Sequence, residues 1–185
     1  MKKTVLLCSS LLFITLSSYG QKIEVSAGYG TSSLYGVTDD LISAVSDALA
    51  NSENSTSSQG VFNVAANLYS QSMKWRYGLD INYETFSTKG AINQKYYLSF
   101  SPKIDYFWSS KGNKFRFYSG LSVGIGWRNL KYINEDSREE TTENSSFFAF
   151  NFTPIGIRYG KDFGVFLEPN LGIKSFLLIG VSYGF

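Results

Sequence analysis

The chain has 185 residues, enough for one domain that either buries a core or closes a barrel. Its 17 Lys and Arg nearly balance its 15 Asp and Glu, so it lacks the basic excess that nucleic-acid binding requires. The absence of histidine excludes Ser-His-Asp hydrolysis, histidine general-base catalysis and imidazole metal sites. Aromatic residues make up 17% of the chain, a composition that favours β structure.

The first twenty residues have the organisation of a secretory signal peptide. Lys2 and Lys3 precede an apolar run over residues 5–16, and small residues stand before Gln21, where a signal peptidase would cleave. The alternative, a transmembrane anchor, is weaker because the apolar run is shorter than the ~20 residues that a spanning helix needs. We therefore predict export from the cytoplasm.

The predicted signal peptide contains the only cysteine in the sequence. The one cysteine of the chain, Cys8, follows Leu7, whereas a lipoprotein signal needs a small residue before its cysteine. The predicted domains are thus a signal peptide over 1–20 and a single domain over 21–185. That domain has no thiol, so disulfides, thiolate metal sites and cysteine nucleophiles are excluded from it, and we expect no cofactor.

Period-2 alternation of apolar and polar residues runs through the predicted domain and indicates β-strands. Within residues 75–84, for example, the odd positions are apolar or aromatic and the even positions are polar or Gly. The phase changes at Thr153 and Pro154, which predicts a β-bulge because proline cannot donate to the strand ladder. Eight segments alternate in this way: 23–30, 62–68, 75–86, 95–108, 115–128, 148–159, 165–171 and 177–185.

The connections between these segments also alternate. The odd-numbered links are mostly long, and they cover 32–58, 88–93, 132–145 and a tight turn near 173–175. The even-numbered links are all short, and they cover 71–72, 109–114 and 161–162. Long loops on one rim and short turns on the other are typical of outer-membrane barrels, whose strands cross the bilayer in ~9 to 11 residues. The predicted fold is all-β, an eight-stranded antiparallel up-and-down transmembrane β-barrel.

A water-soluble barrel of the lipocalin type would alternate too, but its apolar face would point inward. Here the apolar face is rich in large aromatics, whereas the other face carries glycines and charges. Because eight strands leave an interior only just wide enough for side chains, we predict that the apolar face contacts lipid. Aromatic belts are then expected at both interfaces: Trp75, Tyr106, Trp108 and Phe115 on the short-turn side, and Tyr96, Trp127, Phe147 and Phe148 on the other.

Charged residues on the inward face are the candidate site. In a narrow interior of low dielectric such charges must pair, because a lone buried charge is costly. A network of paired charges that closes the lumen is therefore favoured over an ion pathway. Its predicted members are Glu24, Arg76, Asp80, Glu84, Lys103, Asp105, Arg116, Arg128, Arg158 and Glu168, with Lys95 on the same face.

The first long loop contains a helix signal over residues 38–51. Thr38 is the predicted N-cap, Asp39 and Asp40 suit the first turn, and four apolar residues share one face: Leu41, Ile42, Val45 and Leu49. We predict a short amphipathic helix in this extracellular loop that packs on its own barrel, in preference to one that binds lipid or a partner. Residues 134–146 are polar and mostly acidic, which predicts a solvated surface loop.

Three motifs carry a resemblance to a known family. With the signal peptide, the segments FTPIGIRYG (152–160), VFLEPNLG (165–172) and IGVSYGF (179–185) resemble the outer-membrane β-barrel family of small OmpA/OmpX-like proteins in Gram-negative bacteria. The resemblance covers residues 21–185 and implies location in the cell outer membrane. It also implies a C-terminal signal read by the barrel assembly machinery, which Gly180, Tyr183 and Phe185 match.

We thus predict a structural or surface-interaction protein that contacts outer-membrane lipid and acts through its first and third loops, without catalysis. Two alternatives stay open: a small channel and a lipid-modifying enzyme. The better-known enzymes among similar barrels rely on a histidine, which this chain lacks. A mechanism that uses only carboxylates could involve Asp80, Glu84 or Glu168.

Overall fold

The computed structural model describes residues 22–50, 55–90, 92–108, 113–133 and 140–185, and the side chains of 46–50 and 55 are left aside. The predicted signal peptide lies outside these ranges. Within them the chain forms one helix, α1 (Leu34–Ala50), and nine strands: β1 (Ile23–Gly30), β2 (Ser55–Tyr69), β3 (Trp75–Lys89), β4 (Ile92–Phe107), β5 (Phe115–Ile133), β6 (Glu140–Gly160), β7 (Phe163–Pro169), β8 (Leu171–Gly172) and β9 (Leu177–Gly184).

The strands form one antiparallel sheet that closes on itself. Neighbours in sequence pair from β1 to β7, and β9 pairs with both β7 and β1. The two-residue β8 pairs with β6 and continues the line of β7, so the ring has eight strand positions. The predicted eight-stranded antiparallel up-and-down barrel is confirmed, and its closure removes the open edges of the barrel wall.

Apolar residues face outward and polar residues face the lumen. On β1, Ile23 and Val25 are 44% and 42% exposed, whereas Glu24 between them is fully buried. On β9, Ile179 is exposed while its neighbour Leu178 and the inward Ser182 are buried. The alternative of a soluble barrel with an apolar lumen is therefore wrong for this chain. No helix in the described ranges is long and apolar enough to cross a membrane.

The predicted bulge is present at Pro154. The register of β5 and β6 shifts between the pairs Tyr118 with Gly156 and Gly120 with Thr153, so β6 carries one extra residue. Both Pro154 and the next residue, Ile155, face outward, which keeps the apolar face continuous on either side of the shift. The Ser119 hydroxyl donates to the carbonyl oxygen of Pro154 at this point.

Strands extend further at the long-loop end than the sequence pattern predicts. β6 begins at Glu140, which pairs with Ile133 of β5, so much of the predicted acidic loop over 134–146 is a hairpin arm instead. Its threonines pair with Lys131 and Tyr132, and β-branched and aromatic residues stabilise such ladders even where both faces are exposed. The β3–β4 link is likewise shorter than predicted, since β3 ends at Lys89 and β4 begins at Ile92.

Deleting Pro154 should leave a folded barrel. The outward residues on both sides of the bulge keep their phase when the extra residue is removed, at the cost of the Ser119 hydrogen bond. Deleting Ser122 from the regular part of β5 should instead prevent folding, because a one-residue slip turns every later side chain to the wrong face. Heat-modifiable gel mobility of the refolded proteins measures both outcomes. Equal mobility behaviour of the two deletions would contradict the assignment of the bulge.

Candidate functional site in the barrel lumen

Arg76 on β3 is the centre of the lumen charges. Its Nη1 donates to Glu24 and its Nε donates to Asp105, each at 2.8 Å. The Cζ atom lies 4.7 Å from the ring centroid of Tyr118 and 5.2 Å from that of Phe107. All five side chains are buried. The guanidinium is thus held by two charge-assisted hydrogen bonds and by contacts with two aromatic rings.

Glu24 joins three strands that do not all neighbour one another. It belongs to β1, and it accepts hydrogen bonds from Arg76 on β3 and from Arg158 Nε on β6, both at 2.8 Å. The Tyr69 hydroxyl lies 3.2 Å from each of its carboxylate oxygens. Two of the predicted cations therefore share one fully buried carboxylate across the barrel.

A second cluster depends on a residue that the sequence analysis assigned to a turn. Lys174 Nζ lies 2.6 Å from Glu168 Oε2 and 3.5 Å from Asp80 Oδ2. Lys103 Nζ completes the cluster at 3.4 Å from Asp80 and 3.7 Å from Asp105. The predicted tight turn over 173–175 is therefore buried inside the barrel.

The inward register could have located Lys174. Glu168, Asn170 and Gly172 all face the lumen, and Lys174 is the next residue in that series. The chain leaves the barrel wall at Gly172, whose φ of 143° is a backbone conformation that side chains rarely adopt. The segment after it bends inward, which the position of a turn in the sequence does not reveal.

Glu84 also departs from the predicted network, because it hydrogen-bonds to serines and pairs with no described cation. The Ser33 backbone N–H and hydroxyl donate to it at 3.0 and 2.5 Å, and the Ser58 hydroxyl donates at 2.5 Å. The Ser33 hydroxyl in turn accepts from the Gly36 N–H at 3.0 Å, which makes Ser33 the N-cap of α1. The predicted N-cap at Thr38 is wrong, since its hydroxyl donates to the Leu34 carbonyl inside the helix.

Helix α1 lies across the long-loop mouth with its acidic side toward the barrel. Asp39 lies 2.6 Å from Lys95 Nζ and 3.5 Å from Arg128 Nη1, and it accepts from the Tyr97 hydroxyl. Asp40 accepts from the Thr56 hydroxyl at 2.8 Å and from the Ser58 N–H at 3.0 Å. Arg128 is thus at the mouth, with its side chain 36% exposed, and it is separate from the central network.

The apolar side of α1 faces away from the barrel. Leu41, Ile42 and Val45 are 64%, 59% and 53% exposed, whereas the side chain of Leu49 is outside the described part. The predicted packing of the helix on its own barrel is confirmed, but the acidic side makes the contact and the apolar side does not. The acidic side of the helix faces the barrel because Lys95, which is buried at the mouth, attracts its carboxylates.

Most predicted belt residues face outward. At the short-turn end Trp75 and Tyr106 pack against each other with their ring centroids 4.8 Å apart and their planes tilted by 57°. Phe147 was wrongly assigned to the other belt, because it pairs in register with the inward-facing Gly126. Its ring packs against Tyr35 of α1, 5.1 Å away between centroids. A side chain on residue 126 would collide with that ring and force it to move.

Arg116 lies at the short-turn mouth, apart from both clusters, and no described carboxylate pairs with it. The ten predicted members of the network thus fall into four places. Glu24, Arg76, Asp105 and Arg158 form the first cluster; Asp80, Lys103 and Glu168 join Lys174 in the second; Glu84 and Arg128 contact the start of α1 and its acidic side; and Arg116 stands alone. Within the described residues, no three Cys, Asp or Glu side chains are grouped as a metal site.

Comparisons with known proteins give similarity in structure only. No protein-family model matches the chain, and no curated protein matches it. The chain is similar to the N-terminal β-barrel domain of Pseudomonas aeruginosa OprF, with 13% identity, a TM-score of 0.49, and coverage of 89% of this chain and 97% of that one. It is also similar to Neisserial surface protein A (NspA), with 9% identity, a TM-score of 0.47, and coverage of 89% and 94%. The fold assignment depends on the closed strand order described above.

Replacing Glu24 with Gln should lower the free energy of unfolding by about 3–5 kcal/mol, because Arg76 and Arg158 would lose the charge they share. Urea unfolding of the protein in lipid vesicles, followed by tryptophan fluorescence, measures the change. Asp162→Asn is the matched control, since it removes an exposed ion pair with Lys22 and should leave the midpoint unchanged. Equal midpoints for the two variants would contradict a structural role for Glu24.

The attachment of α1 should depend on pH through Asp39. Burial raises the pKa of this carboxyl, but the hydrogen bonds from Lys95 and Tyr97 outweigh burial and hold the pKa below its ordinary value of 3.8. The ionised form therefore stabilises the docked helix above pH 3.8, and this stabilisation is lost as the pH falls through the lower folded-state pKa.

Pulsed EPR distances between labels on Ala44→Cys and Ser87→Cys test this dependence. We expect a narrow distance distribution from pH 7 down to about pH 4 that broadens at lower pH. Asp39→Asn should broaden it at every pH, whereas Asp162→Asn should not. A narrow distribution in the Asp39→Asn protein at pH 7 would show that the helix is held by other contacts.

Proposed function

We propose that this chain is an integral outer-membrane β-barrel protein whose lumen is closed by ion pairs and whose long-loop end interacts with partners outside the cell. One observation carries the membrane location: large apolar side chains are exposed on every wall of the barrel. Soluble proteins rarely expose contiguous apolar patches beyond a few hundred Å². A hydrocarbon phase around the barrel removes the free-energy cost of exposing these apolar side chains to water. The outward residues include Val25, Phe62, Leu79, Phe100, Leu121, Phe152, Val165 and Ile179.

The orientation follows from the loops and the aromatic rings. Short turns of outer-membrane barrels face the periplasm and long loops face the exterior. Trp75, Tyr106 and Trp108 are exposed at the short-turn end, where rings with polar tips suit the lipid headgroup region. These features support contact with outer-membrane lipid and a cell outer-membrane location.

Ion pairing supports a closed lumen. Arg76, Lys103, Arg158 and Lys174 each lie within 4.0 Å of at least one carboxylate, and all four are buried. An ion crossing the barrel would have to displace these pairs, and an eight-stranded barrel leaves little room beside them. We propose a structural barrel without conductance.

A carboxylate-only catalytic mechanism has no support in the geometry. Asp80 and Glu168 are paired with lysines, and Glu84 is fixed by two serines. None of the three lines the cavities that open at the two mouths of the barrel. Their arrangement is that of structural carboxylates, so we propose a non-enzymatic role.

The surface-interaction role is supported by the exposed apolar side of α1. Val37, Leu41, Ile42 and Val45 point away from the barrel that carries them.

At the other end of the chain, Tyr183 and Phe185 face outward, and Phe185 exchanges backbone hydrogen bonds with Ile23. We further propose that Gly180, Tyr183 and Phe185 are read by the barrel assembly machinery, for which the outward placement of Tyr183 and Phe185 leaves these two rings accessible.

Planar-bilayer recording tests the closed lumen. The wild-type protein should show no stepwise current, because every path meets the paired charges. Replacing Glu168 and Lys174 together with Ala should open a path without leaving an unpaired charge, and steps should appear. Stepwise currents from the wild-type protein would overturn the closed-lumen proposal.

Membrane fractionation with heat-modifiable mobility tests the outer-membrane location separately. Recovery of the protein from the soluble periplasmic fraction would overturn that location.

A further inference from the structure

The short-turn end of the barrel contains a cavity of about 260 Å³ that the proposed function does not use. Its charged lining is mostly cationic and comprises Lys22, Glu24, Arg116, Arg158 and Lys161. The one carboxylate of this lining, Glu24, already accepts hydrogen bonds from Arg76, Arg158 and Tyr69. The cavity therefore presents positive charge that its own acidic residue does not offset.

Two arginines stand side by side in the wall of this cavity. Arg116 on β5 and Arg158 on β6 are directly opposite in the strand register, an arrangement that is unfavourable for like charges. Arg158 is neutralised by Glu24 at 2.8 Å, and its two Nη atoms donate to the carbonyl oxygens of Gly160 and Lys161. The unfavourable pairing is thus compensated on the β6 side alone.

Arg116 lacks that compensation. Its side chain is 5% exposed, and its Nη2 donates to the Met73 carbonyl oxygen. Its Nε has no hydrogen-bond partner among the described residues, and its Cζ lies 3.8 Å from the ring centroid of Phe107. The adjacent residues 109–112, outside the described part, read Ser-Ser-Lys-Gly and contain no acidic side chain. A buried guanidinium without a counter-charge is costly, so an anion from outside the chain would stabilise it.

The rim around the cavity has the same sign. Lys22, Lys74, Lys114 and Lys161 lie at this end of the barrel, and Asp162 is the acidic residue among the described rim positions. A cluster of one sign of charge around a low-dielectric recess concentrates counter-ions there. The rim therefore favours the approach of anions to the recess that contains Arg116.

We propose that the short-turn mouth is a binding site for a phosphate group, with Arg116 as its principal ligand and Lys22 and Lys161 as rim ligands. The planar guanidinium donates in a fixed fork that matches phosphate oxygens, and the lysine ammonium groups add charge without fixing geometry. A free phosphate dianion offsets more of this positive charge than a carboxylate does, and the phosphodiester of a lipid headgroup, with one negative charge, presents its oxygens to the same guanidinium fork. The group comes either from a free phosphate or from the headgroup of an anionic phospholipid in the adjacent leaflet.

Isothermal titration with inorganic phosphate tests the first source, using protein refolded in octyl glucoside, which carries no phosphate. We expect saturable binding with one site per chain, at least tenfold weaker in Arg116→Gln. The matched control is Arg128→Gln, the same substitution at the opposite mouth, which should bind like the wild type. Lys161→Glu reverses the charge of an exposed rim residue, which should leave the barrel folded. It should also weaken phosphate binding. Heat-modifiable mobility verifies that each variant is folded.

Nanodiscs test the second source. Wild-type protein in phosphatidylcholine discs doped with phosphatidylglycerol should retain phosphatidylglycerol through gentle detergent extraction, as counted by native mass spectrometry. Arg116→Gln should lose this retention and Arg128→Gln should keep it. If Arg116→Gln loses binding in the titration alone, the site is assigned to free phosphate. If Arg116→Gln loses lipid retention alone, the site is assigned to the lipid headgroup. The proposal is overturned if neither probe binds the wild type, or if Arg116→Gln and Arg128→Gln behave alike.

Discussion

The constraint on which this structure depends is that a charge deep inside an eight-stranded barrel is shielded from water and must find its counter-charge within the barrel. Arg76 satisfies this constraint with Glu24 and Asp105, and Glu24 extends the network to Arg158. The pairs of Glu24 on β1 with Arg76 on β3 and Arg158 on β6 cross the lumen, whereas Arg76 and Asp105 pair across the neighbouring strands β3 and β4. The polar interior thereby performs the role that an apolar core performs in a soluble protein. The outward-facing surface is apolar and contributes no ion pairs of this kind.

The same constraint explains both mouths. At the long-loop end, Lys95 is buried and takes its counter-charge from Asp39 of α1, so the helix turns its acidic side inward and leaves its apolar side exposed. At the short-turn end, no described segment brings a carboxylate to Arg116, and the charged lining of the cavity beside it is mostly cationic. One mouth is covered by a part of the chain that carries carboxylates. The other has the chemistry of a site for an external anion.

Local patterns predicted much of the wall. The bulge at Pro154 was predictable because proline and a phase change coincide at one place, and the inward register assigned most of the lumen residues correctly. The register also reaches Lys174, but the turn signal around it obscured its inward position. The helix and its packing on the barrel were predictable, but the side that packs was not: an amphipathic pattern reveals that two faces differ, yet the surroundings decide which face packs. Phe147 shows the same limit, since its partner Gly126 had to be known before its ring could be placed inside.

The sequence by itself determined which strands exist, which of their faces is apolar, and the order of long and short links. These properties depend on alternation and on turn residues, which act over a few neighbouring positions. Only the tertiary structure decided which charges meet, because Glu24 and Arg158 lie 134 residues apart and become neighbours through ring closure alone. It also decided that Glu84 holds the start of α1 and that Arg116 lacks a carboxylate partner among the described residues. Pairing across a lumen depends on strand register and shear around the whole ring, and no local pattern encodes it.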